Sequence, residues 1–230
     1  VRVLIGCESS GIVREAFRRR GHDAWSCDTQ AADDQSPYHY QCDVRDVLGL
    51  PWDIGIFHPP CTYVSGSGWH WVTRGRIEAD GRPRIDHVND AVAFARMFID
   101  GPETKHIPGR VVENPIGRLS TLIRAPDQII QPYDFGEDAS KATCLWLYGL
   151  PRLRPTRRVA GRWCLQKNGK MVERWSNQTD SGQNKLTPSD DRWKLRSATY
   201  PGIADAFADQ YGSGQLVAAP LIHVQSSLFG

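Results

Sequence analysis

The chain has 230 residues, a formal net charge of +2, and a composition that is 40% hydrophobic and 23% charged. That length suffices for one sizeable domain with its own core and a small appended lobe. No apolar run approaches the ~20 residues of a membrane-spanning helix, and so small a net charge says less about partners than its distribution does. The chain opens directly on a strand-like VRVLIGC, without the pattern of a secretory leader. None of the six cysteines (Cys7, Cys27, Cys42, Cys61, Cys144, Cys164) forms a CxxC pair, and His58 with Cys61 lacks a second pair at zinc-ligand spacing. The expectation is a reduced, metal-free, cytoplasmic protein that does not engage membranes.

Taken in order, VRVLIGCESSG reads as a strand followed by a small-residue turn, and GIVREAFRRRG as an amphipathic helix closed by Gly21. In that helix Ile12, Val13, Ala16 and Phe17 share one face, and Arg14, Arg18 and Arg19 another. HDAWSCDT, YHYQCDV and WDIGIFHPP are three further strands, DHVNDAVAFARMFID is a helix, and GRVVENP and ATCLWLYGLP are strands again. TYPGIADAFADQYG is the last helix, and the final residues read as a tail. Strands alternating with helices predict an α/β fold with a mostly parallel central sheet and helices on both faces. The expected organisation is a catalytic domain over 1–150, a small basic, irregular lobe over 151–192, and over 193–230 a helix returning to the domain plus the tail.

Open parallel sheets bind ligands beyond the carboxyl ends of their strands. Those ends carry Glu8 with Ser9, Ser10 and Gly11; Asp28; Asp43; Pro59, Pro60 and Cys61; and Glu113, Asn114 and Pro115. In the first turn small residues let the backbone approach a ligand closely. The GxGxxG of pyrophosphate-binding turns is absent, and Glu8 would repel phosphate. An acid suits a cationic or amine-bearing ligand, such as the methionine end of S-adenosylmethionine. Asp28 is placed to take two ribose hydroxyls, and Asp43 to accept from an adenine amino group. A capped turn with two solvated acids is the plainer alternative.

Pro59-Pro60 forces a rigid extended turn that presents Cys61 beyond the sheet edge. A thiol there is a candidate nucleophile, and the Ser/Gly-rich TYVSGSGW after it could close over a substrate. Glu113 ends the next strand. A thiol beside a carboxylic acid suits addition to C6 of a pyrimidine while the acid engages N3, which makes C5 nucleophilic toward a sulfonium methyl. The plainer readings are an incidental turn cysteine and a structural acid.

With these residues in view, the chain resembles the DNA cytosine-5 methyltransferases, over roughly Val3 to Gly149 and the helix near Pro201 to Gly212. Pro59-Pro60-Cys61 is similar to the family's nucleophile motif and Glu113-Asn114 to its Glu-Asn motif. The resemblance implies a Rossmann-like S-adenosylmethionine-dependent methyltransferase fold. It implies attack by Cys61 with Glu113 at N3, and a cofactor site from Gly6, Cys7, Glu8, Ser9, Ser10, Gly11, Asp28, Asp43, Val44 and Pro59. The short phage-type enzymes are the forms it most resembles, so the setting would be a bacterial host's cytoplasm. Two departures stand out: LIGCESSG replaces Phe-x-Gly-x-Gly-Gly, and Ala139, Lys141 and Thr143 fall where Gln-x-Arg-x-Arg would stand. Lys141 keeps one positive charge there but lacks the planar fork of arginine.

Between Pro151 and Trp175, eight basic residues face Glu173 as the only acid, with Trp163 and Trp175 interleaved. Arg152, Arg154, Arg157, Arg158, Arg162 and Lys167 are therefore candidates to hold a DNA backbone; a solvated basic loop is the alternative. A cytosine in duplex DNA would have to be flipped out to reach Cys61, or be presented in a single strand. Three rival readings share the fold: a DNA-binding protein without activity, an amino-methyltransferase, and an enzyme acting on a free pyrimidine nucleotide. Against the second, the slot that would read Asp/Asn/Ser-Pro-Pro-Tyr/Phe reads His-Pro-Pro-Cys.

Overall fold

Seven strands form the central sheet of the computed structural model, which describes residues 1–186 and 198–214. They are β1 (Arg2–Gly6), β2 (Asp23–Asp28), β3 (His39–Gln41), β4 (Ile54–Phe57), β5 (Gly109–Pro115), β6 (Gln128–Ile130) and β7 (Thr143–Tyr148). Side by side they run β3-β2-β1-β4-β5-β7-β6. Every pair is parallel except the two made by β7, which is antiparallel to β5 and β6. This is the expected doubly wound, Rossmann-like α/β sheet, and its strand order reverses between β1 and β4, where such sheets open a crevice.

Alternation along each buried strand sends side chains to two cores. Val3, Ile5, Ile54, Ile56, Val111 and Leu145 point to one, where α1 (Ile12–Arg18) and α6 (Pro201–Tyr211) bury Phe17, Phe207 and Tyr211. Leu4, Phe57, Val112 and Trp146 point to the other, under α2 (Arg45–Leu48) and α4 (Arg84–Ile99), where Phe57 stacks on Phe98 at 4.4 Å. Each such large side chain, fully buried, stabilises the fold by about 1.5–3 kcal/mol. Arg20 clamps α1 to α6 through Asp205 at 2.9 Å and Asp209 at 2.5 Å.

The structure departs from the sequence reading in three places. Arg14, expected on the polar face of α1, is completely buried. Its guanidinium donates to Ser26 Oγ at 2.7 Å and to Glu15 at 3.0 Å, and it pairs with Asp34. A buried cation is tolerable only with such partners. Strand β6 was not expected: three residues long, with Ile129 exposed, it is too short to print an apolar run. The segment after residue 150 is also less irregular than its composition predicts. It contains a two-stranded hairpin, β8 (Arg162–Leu165) and β9 (Met171–Arg174), with Gly169 at φ 78° in the connecting turn.

Ahead of that hairpin, residues 151–154 still run along the main body. Gln128 brackets Leu153 with bonds of 2.7 and 2.8 Å, Gln210 brackets Arg154 with two of 2.8 Å, and Tyr211 donates to Pro151 O. The expected tail and part of the expected 151–192 and 193–230 segments lie outside the described residues. No described helix is long and apolar enough to cross a membrane.

Candidate active site

The first strand end is tightly tied. Cys7, at φ 61°, and Glu8 both donate their N–H to Cys27 O, at 2.8 and 3.2 Å, so the chain turns back across β2. A left-handed non-glycine residue costs about 1 kcal/mol or more and marks a place where the surroundings dictate the backbone. Gly6 is required by packing, since a Cβ there would lie 2.7 Å from Phe57 and 2.9 Å from the buried Val44. Gly11, at φ 71°, opens α1, and a side chain on it would strike the Arg14 guanidinium.

Glu8 is buried, and its Oε1 accepts Val13 N–H at 2.9 Å and Ser10 Oγ–H at 3.1 Å. That makes one carboxylate oxygen a cap for α1. The other, Oε2, is buried with no partner among the described residues. Ser9 O accepts Asp33 N–H at 2.9 Å, which draws the loop after β2 over this turn.

Asp28 ends β2, where Oδ1 accepts Gln30 N–H at 2.9 Å while Oδ2 stays outside that turn. Asp43 follows the end of β3, where the sequence expectation put it. Its Oδ1 accepts from Arg45 N–H and Nε and its Oδ2 from Arg45 Nη2, at 2.7–2.9 Å, and this fork holds the Asp43 carboxyl below its usual range. Glu8 and Asp28 therefore fit a ligand with an ammonium and a diol, such as S-adenosylmethionine, and Asp43 Oδ2, which takes one bond from Arg45, keeps capacity to accept another.

At the next strands the two motifs are joined. β4 and β5 pair Phe57 with Val112, so His58 and Glu113 follow side by side. His58 Nδ1 lies 2.9 Å from Glu113 Oε2, with both side chains almost fully buried. Asn114 Nδ2 donates to Pro59 O at 2.7 Å. The two residues of Glu-Asn thus hold two successive residues of His-Pro-Pro-Cys. His58 N–H donates to Gly6 O at 2.9 Å, closing the row from β1 to β5.

Burial alone would push the Glu113 carboxyl up; the bond from His58, the charges of Lys141 and His58, and a contribution from Thr143 outweigh it and hold it below its ordinary range. Lys141, just before β7, donates its Nζ to Ala198 O at 3.3 Å while its charge acts on Glu113. His58 is not among the candidate residues of the sequence analysis; strand register is the signal that brings it to Glu113.

Cys61 is half-buried, and its carbonyl accepts Val64 N–H at 3.1 Å and Ser65 N–H at 2.9 Å. The loop beyond is pinned rather than open: Arg118 N–H donates to Val64 O at 2.7 Å, and Ser65 bridges to Gly117. Three of the other thiols are disfavoured as nucleophiles. Burial, helped by Asp28 and Asp43, pushes Cys7 up to about 12; burial and Cys42 raise Cys27; burial and Glu113 raise Cys144.

Past Cys61 the surface is aromatic and basic, which the sequence reading also missed. In α3 (Trp69–Thr73), which buries none of its residues, Trp69 lies 4.0 Å beneath Arg118, and Trp71 is flanked by Arg76 at 5.1 Å and Arg74 at 5.8 Å.

In the small lobe Trp175 is buried, stacked on Tyr133 at 3.8 Å, with its indole N–H on Val159 O at 3.0 Å. Arg158 is paired with Asp134 at 3.3 Å and Glu173 at 2.5 Å; Arg162 with Asp180 at 2.8 Å and the carbonyls of Trp175 and Gln178; Arg157 donates to Gly136 O. Arg152 and Lys167 are exposed, without such bonds among the described residues, and Arg154 is exposed with its backbone held by Gln210. One face of the hairpin presents Trp163 (65% exposed), Leu165 and Met171.

Two cavities stand out among the described residues. One of about 630 Å³ sits in the lobe beside Arg162, Arg174 and Lys185; one of about 290 Å³ sits between Ser10-Gly11 and Pro201 of α6. Neither is lined by Cys61 or Glu113, so the candidate site rests on the chemistry of the row.

No protein-family model matches the chain, and no curated protein matches it in sequence. Among solved structures it is similar to a prophage-encoded protein of E. coli described as a DNA modification methyltransferase. The match covers 69% of this chain and 52% of that one, at 15% identity and a TM-score of 0.42. The chain thus spans about half the length of that protein. So distant a likeness leaves function to be argued from the side chains themselves.

Proposed function

We propose that this chain transfers a methyl group to C5 of cytosine in DNA, with Cys61 as the nucleophile and Glu113 at N3. The observation that carries the reading is the double tie between the strand ends, His58 to Glu113 and Asn114 to Pro59. It holds the loop that presents a thiol against the strand that presents a buried acid. Glu8 Oε2 and Asp28 would hold S-adenosylmethionine, which supplies an electrophilic methyl group. The chain's own residues do the rest. The Cys61 thiolate adds to C6 while Glu113, in its neutral form, donates its proton to N3, and the C5–C6 electron pair shifts to leave an enamine that is nucleophilic at C5. After methyl transfer, a water molecule takes the C5 proton, the C6–S bond breaks to release the Cys61 thiolate, and N3 returns its proton to Glu113.

The target base must leave the duplex, or be single-stranded, to reach Cys61. Trp71 with Arg74, beyond the thiol loop, suits stacking and backbone contact. Arg152, Arg154 and Lys167 are the lobe cations we assign to phosphate contacts. The test is incubation of the protein and a Cys61→Ala variant with duplex DNA and labelled S-adenosylmethionine, followed by digestion to nucleosides and mass analysis. Label in 5-methylcytosine that vanishes in the variant is expected. Label in N4-methylcytosine or N6-methyladenine would overturn the thiol mechanism, and cofactor binding without label would favour a DNA-binding protein that lacks activity.

A further inference from the structure

We propose that His58 is a positioning residue for Glu113: its Nδ1–H holds Oε2, so that Oε1 is the carboxyl oxygen that carries the proton to N3 of the target base. The inference rests on the cytosine-C5 reading and adds to it a residue that acts through Glu113 rather than on the base.

Three observations carry it. The bond is 2.9 Å long between side chains that are 11% and 8% exposed, so water competes little for either partner. Strand register fixes it, because His58 and Glu113 each follow a directly paired residue of adjacent strands, and His58 N–H is itself anchored on Gly6 O. The third is that His58 Nε2 is buried with no partner among the described residues. A histidine serving only the fold would normally satisfy both ring nitrogens. With Nδ1 on a carboxylate, the ring is oriented by Glu113, and Glu113 by the ring.

The pair also sets the charge of Glu113. The titratable groups bearing on the carboxyl are His58 from the end of β4, Lys141 ahead of β7, and Cys144 within β7. His58 contributes through both its hydrogen bond and its charge, and each pulls the carboxyl down against the upward push of burial. Removing the ring leaves burial opposed by Lys141 and Thr143 alone, so the carboxyl must rise.

The test compares wild type with His58→Ala and His58→Asn in steady-state methylation against pH. In parallel, the protein labelled with [13C]glutamate is titrated by NMR, with the Glu113 carboxyl assigned by its loss in Glu113→Gln. For His58→Ala we expect kcat to fall about 100-fold, within the range for a mispositioned acid–base group, with KM for DNA unchanged within about twofold. The pH limb of Glu113 should move up. Asn can donate from the place of Nδ1 but carries no charge. It should recover most of the rate, with a limb between the other two, and it carries the test if the alanine chain fails to fold. A His58→Ala enzyme at the wild-type rate, or a Glu113 resonance titrating at the same pH in all three proteins, overturns the role of His58. Wild type that makes no 5-methylcytosine overturns the cytosine-C5 reading and this inference with it, whatever the resonance does.

Discussion

The carboxyl edge of the sheet and the small lobe both attract attention in the sequence, one by its motifs and one by its charge, and they are built in opposite ways. At the sheet edge, side chains are held by backbone that the strands have already fixed. His58, Pro59, Glu113 and Asn114 are joined across two parallel strands, and Cys61 follows on a loop pinned at Val64 and Ser65. In the lobe, much of the charge is turned inward. Arg158 holds Asp134 of the main body and Glu173 of the lobe, Arg162 holds Asp180 and two carbonyls of the lobe, and Trp175 packs against Tyr133 of the main body. What faces outward is Trp163, Leu165, Met171 and a few lysines and arginines. A motif whose residues sit at strand ends keeps its meaning on folding, whereas a net charge does not, because ion pairs within a lobe remove cations from the count available to a partner.

The largest effect that would break this contrast is at the thiol. Cys61→Ala should reduce methylation to background while leaving the melting temperature within a few degrees, checked by nucleoside mass analysis and thermal unfolding. Glu113→Gln should lower kcat by about 10²–10⁴-fold. It should also change the acid stability. The folded Glu113 carboxyl lies below its ordinary value, so the stability it contributes is complete above that ordinary value and lost as pH falls through the depressed one. The glutamine variant should therefore show a flatter loss of stability in acid, followed by urea unfolding from neutral pH downward.

Trp175→Ala removes the buried anchor of the lobe, a change that typically costs about 3–5 kcal/mol of local packing. It should weaken DNA binding while S-adenosylmethionine affinity is unchanged, measured by calorimetry with each ligand separately. Asp34→Ala leaves Arg14 buried with one fewer anionic partner and should cost about 2 kcal/mol in urea unfolding. The smallest and sharpest comparison is between two cations of the lobe. Lys167→Gln should lower the salt dependence of DNA binding by about one unit of slope, whereas Arg158→Gln should leave the slope unchanged and destabilise the lobe.

Much of the sheet was legible. β1, β2, β4, β5 and β7 print apolar runs because a parallel sheet buries both faces of its strands, and α1, α4 and α6 print helical periodicity. Three-residue β6 does not, and the β8–β9 hairpin is hard to read because its strands are four residues long and mix Arg162, Glu173 and Arg174 with apolar residues on both faces. Arg14 was misread because helical spacing groups it with Arg18 and Arg19, while its burial depends on Ser26 and Asp34, remote in sequence. At the site, Cys61, Glu113 and Asn114 could be named from their place at strand ends. His58 could not, since its bond to Glu113 forms only once β4 and β5 are in register. The pairing of Asp43 with its neighbour Arg45 is likewise visible only in the fold.

The central claim is that Cys61, held beside Glu113 by the two strand ends, adds covalently to a cytosine. The most direct measurement is to incubate the protein with S-adenosylmethionine and a duplex oligonucleotide containing 5-fluorocytosine, whose C5 cannot lose a proton, and to map any adduct by peptide mass spectrometry. The account expects a stable complex joined through Cys61, lost in Cys61→Ala and strongly reduced in Glu113→Gln. Methylated DNA formed from ordinary cytosine with no trapped complex on the fluorinated substrate, or an adduct on another cysteine, would contradict it.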